Sequence, residues 1–307
     1  MHEDDLTVRP LTGRSELDLF RSIPYALNGE LDGDLDAGRR RLDWLWVAQR
    51  GDRLVGRVAW WTRNASGDPF VLDFFETSDV DDGVTLLKTA MAAVLPPGST
   101  PPDYIRFLPP DWHDDTTIVR AVDERGTALK RLGARPLVER LRLQWEAGGP
   151  VPAPTDRLRF RPVADREELV GLMTQVLDGT LDAHSRADLT RMSPAEQANS
   201  QYDDELAGYE TPREWWRIAT LPDGTPVGFV IPARNAYNPI IAYIGVLPAF
   251  RGKGYVDDVL AEGTRILAAQ GVPRIRAATD VGNAPMAKAF ARAGYATFER
   301  QLDMTWS

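Results

Sequence analysis

The sequence predicts an α/β (α+β) fold built as two tandem domains, each with a mixed central sheet flanked by helices. Three observations predict it. The chain has 307 residues, more than one average domain needs. A segment rich in proline and glycine, 148–156, lies near its middle. The patterns typical of strands and helices follow in the same order on both sides of that segment.

The two halves begin alike. "LTVRPLTGRSELDLF" starts at Leu6 and "LRFRPVADREELVG" starts at Leu158. Each reads as a short strand, an Arg-Pro pair and then an acidic start to an amphipathic helix. In the middle of each half, Trp44–Trp61 and Trp216–Ala233 read as hairpins with turns at Arg-Gly-Asp and Pro-Asp-Gly.

The two halves also end alike. "ALKRLGARPLVERLRLQW" and "AFARAGYATFERQLDMTW" match at a constant offset of 161 positions, each a helix, a glycine cap and a strand. Matches at both ends favour a tandem repeat. We therefore expect domains at 1–147 and 157–307, joined by a linker at 148–156.

Composition excludes several classes of function. A net charge of −9 and a pI near 5.0 argue against nucleic-acid binding, and they leave open an acidic cleft for a cationic substrate. With no cysteine and three histidines (His2, His113, His184), we expect no metal site. No apolar run is long enough to span a bilayer and no secretion signal is visible, so we expect a cytoplasmic protein without membrane association. The oligomeric state stays open.

The most unusual segment, "VLPAFRGKGYVDDVL", joins an apolar strand to an amphipathic helix. Pro248 ends the strand, and Val256, Val259, Leu260, Thr264 and Leu267 share one helical face. At a helix N-terminus the first N–H groups have no partner and the helix dipole is positive. Two glycines and two cations placed there predict an anion site suited to a pyrophosphate. The segment has neither a Walker ending nor the third glycine of a dinucleotide-binding loop.

This segment resembles the acyl-coenzyme A loop of the GNAT acyltransferase superfamily, Arg/Gln-x-x-Gly-x-Gly/Ala after the fourth strand. Downstream, "NAPMAKAFARAGY" from Asn283 resembles the family's Asn…Gly-Phe/Tyr segment. The resemblance implies that acetyl-CoA binds the C-terminal domain, with no metal. It implies a gap beside a bulged strand for the pantetheine arm, and Gly245 suits such a bulge. The implied cofactor-binding residues are Ile244, Gly245, Val246, Arg251, Gly252, Lys253, Gly254, Tyr255, Val256 and Asn283.

Four positions are departures from the family's pattern or bear on it. Val256 stands where glycine or alanine is usual, and Phe290 stands where many members carry a tyrosine that protonates the leaving thiolate. Asp257 and Asp258 follow the loop, where we expect them to cap the helix rather than face a ligand.

The first half lacks the loop. When Val80-Asp81-Asp82 is aligned with Val256-Asp257-Asp258, Phe75–Ser78 falls opposite Arg251–Gly254, without glycine or cation. We therefore expect a degenerate N-terminal domain that binds no pyrophosphate. This plan resembles the architecture of tandem family members such as mycothiol synthase.

Acetyl transfer to an amine needs positioning, a proton acceptor and stabilisation of an oxyanion, for which the resemblance implies the Val246 N–H. Five acids lie in the segment expected over the acceptor: Asp203, Asp204, Glu205, Glu210 and Glu214. We select Glu210 as the base because Tyr209-Glu210 lies between a glycine and a proline, in a loop rather than on a helix face. Tyr243 is the other candidate for the base, acting through its hydroxyl or a water.

The sequence thus predicts an acetyl-CoA-dependent N-acetyltransferase acting on a primary amine of a small molecule. Two alternatives stay open. One is O-acyl or longer-chain acyl transfer, and the other is a non-catalytic CoA-binding sensor or scaffold.

Overall fold

The computed structural model of the protein describes residues 5–63, 65, 67–154 and 156–307. Two residues named above lie outside the described residues: His2, near the N-terminus, and Thr155, in the predicted linker. No helix or strand covers the rest of the segment 148–156.

The strands and helices follow the predicted order in both halves. In chain order the strands are β1 (Leu6–Pro10), β2 (Leu45–Arg50), β3 (Arg53–Trp61), β4 (Val71–Thr77), β5 (Tyr104–Leu108), β6 (Arg135–Glu146), β7 (Arg159–Pro162), β8 (Arg217–Thr220), β9 (Pro226–Arg234), β10 (Pro239–Val246), β11 (Arg274–Asp280) and β12 (Ala296–Thr305). The helices are α1 (Leu17–Arg21), α2 (Leu31–Asp36), α3 (Val80–Val94), α4 (Thr116–Arg131), α5 (Arg166–Val176), α6 (Ala183–Asp188), α7 (Pro194–Asp204), α8 (Tyr255–Ala268) and α9 (Ala284–Arg292).

The chain forms two compact units, one of residues 1–139 with 300–307 and the other of residues 140–299. These boundaries fall inside β6 and β12, not at the predicted linker. The division by compactness therefore differs from the division by sequence repeat, and the repeat boundary stays a prediction.

The first unit contains a mixed sheet with strand order β1-β2-β3-β4-β5-β12. Its pairs are antiparallel except β4 with β5, and residues 300–304 of β12 pair with β5. Its core is aromatic and aliphatic, and its largest fully buried apolar side chains include those of Phe20, Trp60, Phe74 and Phe75.

The second unit repeats this plan with strand order β6-β11-β10-β9-β8-β7. The pair β10 with β11 is parallel, and residues 140–146 of β6 pair antiparallel with β11. Two apolar clusters form its core, one including residues of α8 and α9 and the other residues of α5 and α7. In each unit the sheet is therefore completed by the last strand of the other sequence half.

Among the described residues, no helix is both long enough and apolar enough to cross a membrane.

Candidate active site

The strands β10 and β11 diverge and leave a gap between them. Their register places Ile240 opposite Arg276, near the start of both strands, and records no further pair in the part of the chain described. On its other edge β10 is paired with β9 as far as Val246, and the Leu247 N–H donates to the Val227 carbonyl of β9 at 2.8 Å. Because backbone groups alternate between the two edges of a strand, the Val246 N–H faces the gap.

The bulge in β10 lies at Ala242, not at Gly245 as predicted. The register with β9 shifts between Ile241 and Tyr243. Gly245 instead lies at a close approach, since a Cβ there would lie 3.0 Å from Val176 Cγ1 and 3.3 Å from the Phe229 ring, and these side chains would have to shift to admit it. A glycine can mark either a bulge or a close approach, so its position alone did not separate the two.

The loop after β10 presents a row of backbone donors. Gly252 and Gly254 have φ of 76° and 77°, a left-handed conformation that favours glycine. Gly254 is the N-cap of α8 and no side chain caps the helix. Within the described residues, five consecutive N–H groups donate to no backbone carbonyl; they belong to Gly252, Lys253, Gly254, Tyr255 and Val256. This arrangement suits the binding of a phosphate or pyrophosphate.

The space in front of the loop is open. A Cβ on Gly252 would meet no atom within 4 Å, and a Cβ on Gly254 would approach only Arg157 Nη1, at 3.9 Å. The glycines are thus needed for the backbone conformation rather than for packing against the protein's own atoms.

The two loop cations have different environments. The Arg251 guanidinium donates to three backbone carbonyls, of Val246 at 3.1 Å, Asp178 at 2.5 Å and Val176 at 2.7 Å. It therefore fixes the loop to the end of β10 and to the residues that end α5. Lys253 is exposed and donates to the Ala249 carbonyl at 3.0 Å, so its ammonium lies at the loop surface.

The carboxylates at the start of α8 are paired with arginines. Asp257 accepts from Arg292 Nη2 at 2.7 Å, and Asp258 lies 3.4 Å from Arg157 Nη1. Arg157 also donates to the Lys253 carbonyl at 2.7 Å. These pairs reduce the repulsion that the two carboxylates would exert on an anion in the loop.

The remaining predicted cofactor residues lie around the same end of the gap. Ile244, Val246, Tyr255 and Val256 are half-buried against the core of the second unit. Asn283 is the N-cap of α9, accepting from the Met286 N–H at 3.3 Å. Because β10 and β11 are parallel, their carboxyl ends and the helices that follow meet at one edge of the sheet.

Phe290 is a core residue. Its side chain is 1% exposed and its ring packs edge-on against Tyr295 at 5.1 Å. The Tyr295 hydroxyl is hydrogen-bonded to Thr264 at 2.8 Å, so this tyrosine is held inside the core.

Tyr243 lies on β10 with its ring against Phe229, at 5.1 Å. Burial raises the pKa of Tyr243, and the charges of Asp182 and Glu205 raise it further. Its hydroxyl is therefore protonated at neutral pH and is suited to donate a proton rather than to accept one.

Among the five acids considered, Glu205 is named above because its charge helps to raise the pKa of Tyr243. Its carboxylate accepts from the Tyr209 hydroxyl at 2.8 Å. Glu210 lies in an exposed irregular segment, as the glycine and the proline two positions to either side of it indicated. Its role as base stays a prediction.

Sequence reasoning missed an acidic pair at the end of β11, in which Asp280 is buried and Asp182 is half-buried. Asp280 is 2% exposed, accepts from the Ala183 N–H at 2.7 Å and lies 3.0 Å from Arg140 Nε. Burial and the charge of Asp182 raise its pKa, against the opposing effects of the Ala183 N–H, Arg140 and His184. Burial opposes ionisation of Asp182 too, but Arg140, the Ser185 N–H and His184 outweigh it and lower its pKa.

The sequence signal for this pair was weak. It consisted of one aspartate at the end of a predicted strand, because the groups that contact Asp280 are distant from it in sequence. Within the described part of the chain, no three side chains of metal-ligating type come together.

The corresponding turn of the first unit is closed. The side chain of Asp79 caps α3 and accepts from the N–H groups of Asp81 and Asp82 at 2.8 and 3.1 Å. The predicted alignment of this turn was wrong, because residues 75–77 belong to β4 and Asp79, not Ser78, occupies the N-cap. A side-chain carboxylate thus takes the donors that a bound phosphate would need.

Residues 182–295 match the sequence model of the acetyltransferase (GNAT) family. No curated protein sequence matches the chain. A GCN5-related N-acetyltransferase from Sphaerobacter thermophilus superposes with a TM-score of 0.61 at 15% identity, covering 97% of this chain and 94% of that one. A tandem GNAT protein from the clavulanic acid biosynthesis pathway gives 0.53 at 16% identity, over 98% of both chains. A GCN5-related N-acetyltransferase from Kribbella flavida gives 0.51 at 15% identity, over 90% and 92%.

These structures share the fold over nearly the whole chain, while the resemblance to mycothiol synthase stays a prediction. The match over 182–295 covers the diverging strands, the donor loop and the Asn283 segment. The chain therefore carries an acetyltransferase domain of the GNAT family in its C-terminal half.

Proposed function

We propose that the protein is an acetyl-CoA-dependent N-acetyltransferase that acts on a primary amine of a small molecule through its C-terminal domain. The observation that carries the proposal is the row of five N–H groups at 252–256 that donate to no backbone carbonyl in the described part of the chain, beside the gap between β10 and β11. In the first unit, Asp79 occupies the equivalent helix start. One acetyl-CoA per chain is the expected stoichiometry.

Each part of the site has a task in this reaction. The loop donors hold the pyrophosphate, and the unpaired edge of β10 is available to the pantetheine arm. The Val246 N–H faces the gap, where it can stabilise an oxyanion at the thioester carbonyl. The amine nitrogen forms a bond to that carbonyl carbon and the carbon–sulfur bond breaks.

Two proton transfers accompany this exchange. The substrate ammonium loses its proton to Glu205, Glu210 or a water that they hold. The Tyr243 hydroxyl donates a proton to the departing thiolate sulfur, the role that Phe290 cannot perform. The acidic groups near Tyr243 favour a cationic substrate.

Calorimetric titration of acetyl-CoA tests where the cofactor binds. Gly254→Glu adds a Cβ where φ is 77° and a carboxylate among the donors, so we expect it to abolish binding. Gly271→Glu is the matched control, because Gly271 has φ of 68° and no atom within 4 Å of a Cβ, but lies at the other end of α8. Equal loss in both variants, or loss in neither, would contradict the placement.

Release of free thiol from acetyl-CoA tests the chemistry. The protein is incubated with panels of small amines and matched alcohols, and then with longer acyl-CoA donors. Turnover with an amine supports the proposal, and turnover with an alcohol would indicate O-acyl transfer. Tight binding without turnover would favour a sensor. Tyr243→Phe is expected to lower kcat about 10²–10⁴-fold with little change in the KM for acetyl-CoA.

A further inference from the structure

The first unit contains a cavity of about 300 Å³ between α4 and the sheet. This volume is at the lower end of the range for small-molecule sites, about 300–1,000 Å³. Val122 of α4, Leu137 of β6, and Leu302 and Met304 of β12 provide apolar walls. It is therefore large enough for a small organic molecule with an apolar body.

Two buried arginines line the cavity. Arg125 of α4 is 6% exposed and Arg106 of β5 is 7% exposed. Among the described residues, the Nε of each has no hydrogen-bond partner. A buried guanidinium N–H without a partner is costly, so a ligand that supplies an acceptor would be favoured there.

The protein's own carboxylates leave this positive charge only partly balanced. Glu76, the buried acid nearest to Arg106, is shared between that residue and Arg57. Arg125 takes part in neither pair. Burial lowers the pKa of Arg125 and the charge of Arg106 lowers it further, while Tyr104 and Glu76 act in the opposite direction.

Three other acids line the cavity: Asp123 is exposed on α4, while Glu139 and Asp303 have hydrogen-bond partners of their own. Glu139 accepts from Arg300 at 3.0 Å and from Trp112 at 3.2 Å. Asp303 accepts from Gln301 at 2.8 Å. Tyr104, which also lines the cavity, has a pKa raised by burial and so contributes no negative charge.

We propose that this cavity binds a small monocarboxylate with an apolar body, its carboxylate held by Arg125 and Arg106 and its body packed against α4 and the sheet. Two guanidinium groups can donate paired hydrogen bonds to the carboxylate oxygens. The site is separate from the donor loop at 252–256, and so it does not depend on the function proposed above.

Gly126 provides a way to block the cavity without disturbing the fold. It lies within α4 and lines the cavity, and a Cβ there would meet no atom within 4 Å. Replacing a helical glycine by leucine also favours the helix by its intrinsic propensity. Gly126→Leu should therefore fold, and its side chain should occupy the ligand's space.

The test is calorimetric titration of the full chain, in buffer free of carboxylate and phosphate, with hexanoate, hexanamide, hexylammonium and inorganic phosphate. We expect saturable binding of hexanoate at one site per chain, at least tenfold weaker binding of hexanamide, and none of hexylammonium. Arg125→Met and Gly126→Leu should each weaken hexanoate binding at least tenfold. Arg120→Gln, which removes an exposed charge from the same helix, should bind hexanoate as the wild type does.

Equal binding of hexanoate and hexanamide, or no saturable hexanoate binding, would overturn the proposal. So would unchanged binding in Gly126→Leu, or phosphate binding as tight as that of hexanoate. If Arg125→Met fails to fold, the Gly126→Leu variant and the comparison of hexanoate with hexanamide in the wild type still decide. Acetyl-CoA binding should be unaffected in Gly126→Leu.

Discussion

Arg251 donates to three carbonyls that folding brings together, two of them on residues 73 and 75 positions earlier in the chain. Such a residue serves a ligand site by fixing the loop, whatever contact it makes with the ligand. Lys253, two residues later, carries the same charge but has one carbonyl partner. The pair therefore separates the effect of loop geometry from that of charge.

We expect Arg251→Met to weaken acetyl-CoA binding more than Lys253→Met, although each removes one cation. Loss of hydrogen bonds from a charged donor should also lower the free energy of unfolding by roughly 1–3 kcal/mol in Arg251→Met. Lys253→Met should mainly reduce the dependence of binding on salt. Calorimetry at two ionic strengths and urea unfolding measure these effects.

Arg251→Lys provides the control for charge. One ammonium cannot reproduce the planar set of guanidinium donors, so we expect this variant to resemble Arg251→Met. Full retention of binding and stability in Arg251→Lys would contradict the role of Arg251 as a clamp.

At the scale of elements, both sequence halves use the same kind of ion pair to hold their first strand to the helical segment that follows. Arg9 donates to Glu16 at 2.7 Å, and Arg161 is paired with Glu168 at the same spacing. Each glutamate also accepts from a backbone N–H four residues earlier, at 2.7 and 2.9 Å. The Arg-Pro pairs in the sequence thus mark a contact that is repeated in three dimensions.

Glu16 predicts part of the acid sensitivity of the fold. Its hydrogen bonds to Arg9 and to the Thr12 N–H lower its pKa from 4.5 to about 2. A carboxylate with a lowered pKa stabilises the folded state fully above its unfolded pKa, and this stabilisation is lost as the pH falls through the folded value. The stability difference between wild type and Glu16→Gln should therefore shrink as the pH falls from above 4.5 towards 2.

Urea unfolding at several pH values measures this difference. Asp18→Asn, at an exposed position nearby in α1, is the control and should behave like the wild type. A difference that stays constant over this pH range would show that the ion pair does not contribute.

At the scale of the whole molecule, sequence patterns predicted the features that depend on residues close together in the chain. The helical face of α8, the positions of Gly252 and Gly254 and the order of elements in each half were all predictable, because each depends on neighbours in sequence. The Asp79 cap was equally local and could have been found from an aspartate placed directly before a helical pattern.

Long-range contacts were beyond such reasoning. The clamp made by Arg251, the acidic pair of Asp182 and Asp280 and the bulge at Ala242 depend on residues brought together from distant segments. The same is true of the strand that completes each sheet. The alternation of apolar and polar residues along a strand indicates which face is buried, but not which strand it pairs with.

The exchanged strands lead to a prediction about what happens when the two sequence halves are expressed as separate fragments. A fragment of residues 1–147 lacks the β12 segment that pairs with β5, and a fragment of residues 148–307 lacks the β6 segment that pairs with β11. Each would expose an unpaired sheet edge, so we expect either fragment alone to aggregate. Expressed together, the two should form a soluble complex that binds acetyl-CoA.

Size-exclusion chromatography and acetyl-CoA titration test this expectation. A chain cleaved within the segment 148–154, in which both strands stay available, is the control. If the fragment of residues 148–307 alone were soluble and bound acetyl-CoA as the full chain does, the exchange would be unnecessary for folding.

The exchange of strands also delays folding during synthesis on the ribosome, because the sheet of the first unit cannot be completed until β12 has been made. The first unit begins to receive its last segment only at residue 300, which is synthesised 161 positions after Glu139. At about 5–20 residues per second this interval lasts roughly 8–32 s. During that time the edge of β5 that will pair with β12 is unpaired. An unpaired strand edge can pair with another chain, such as a nascent copy on an adjacent ribosome of the same mRNA.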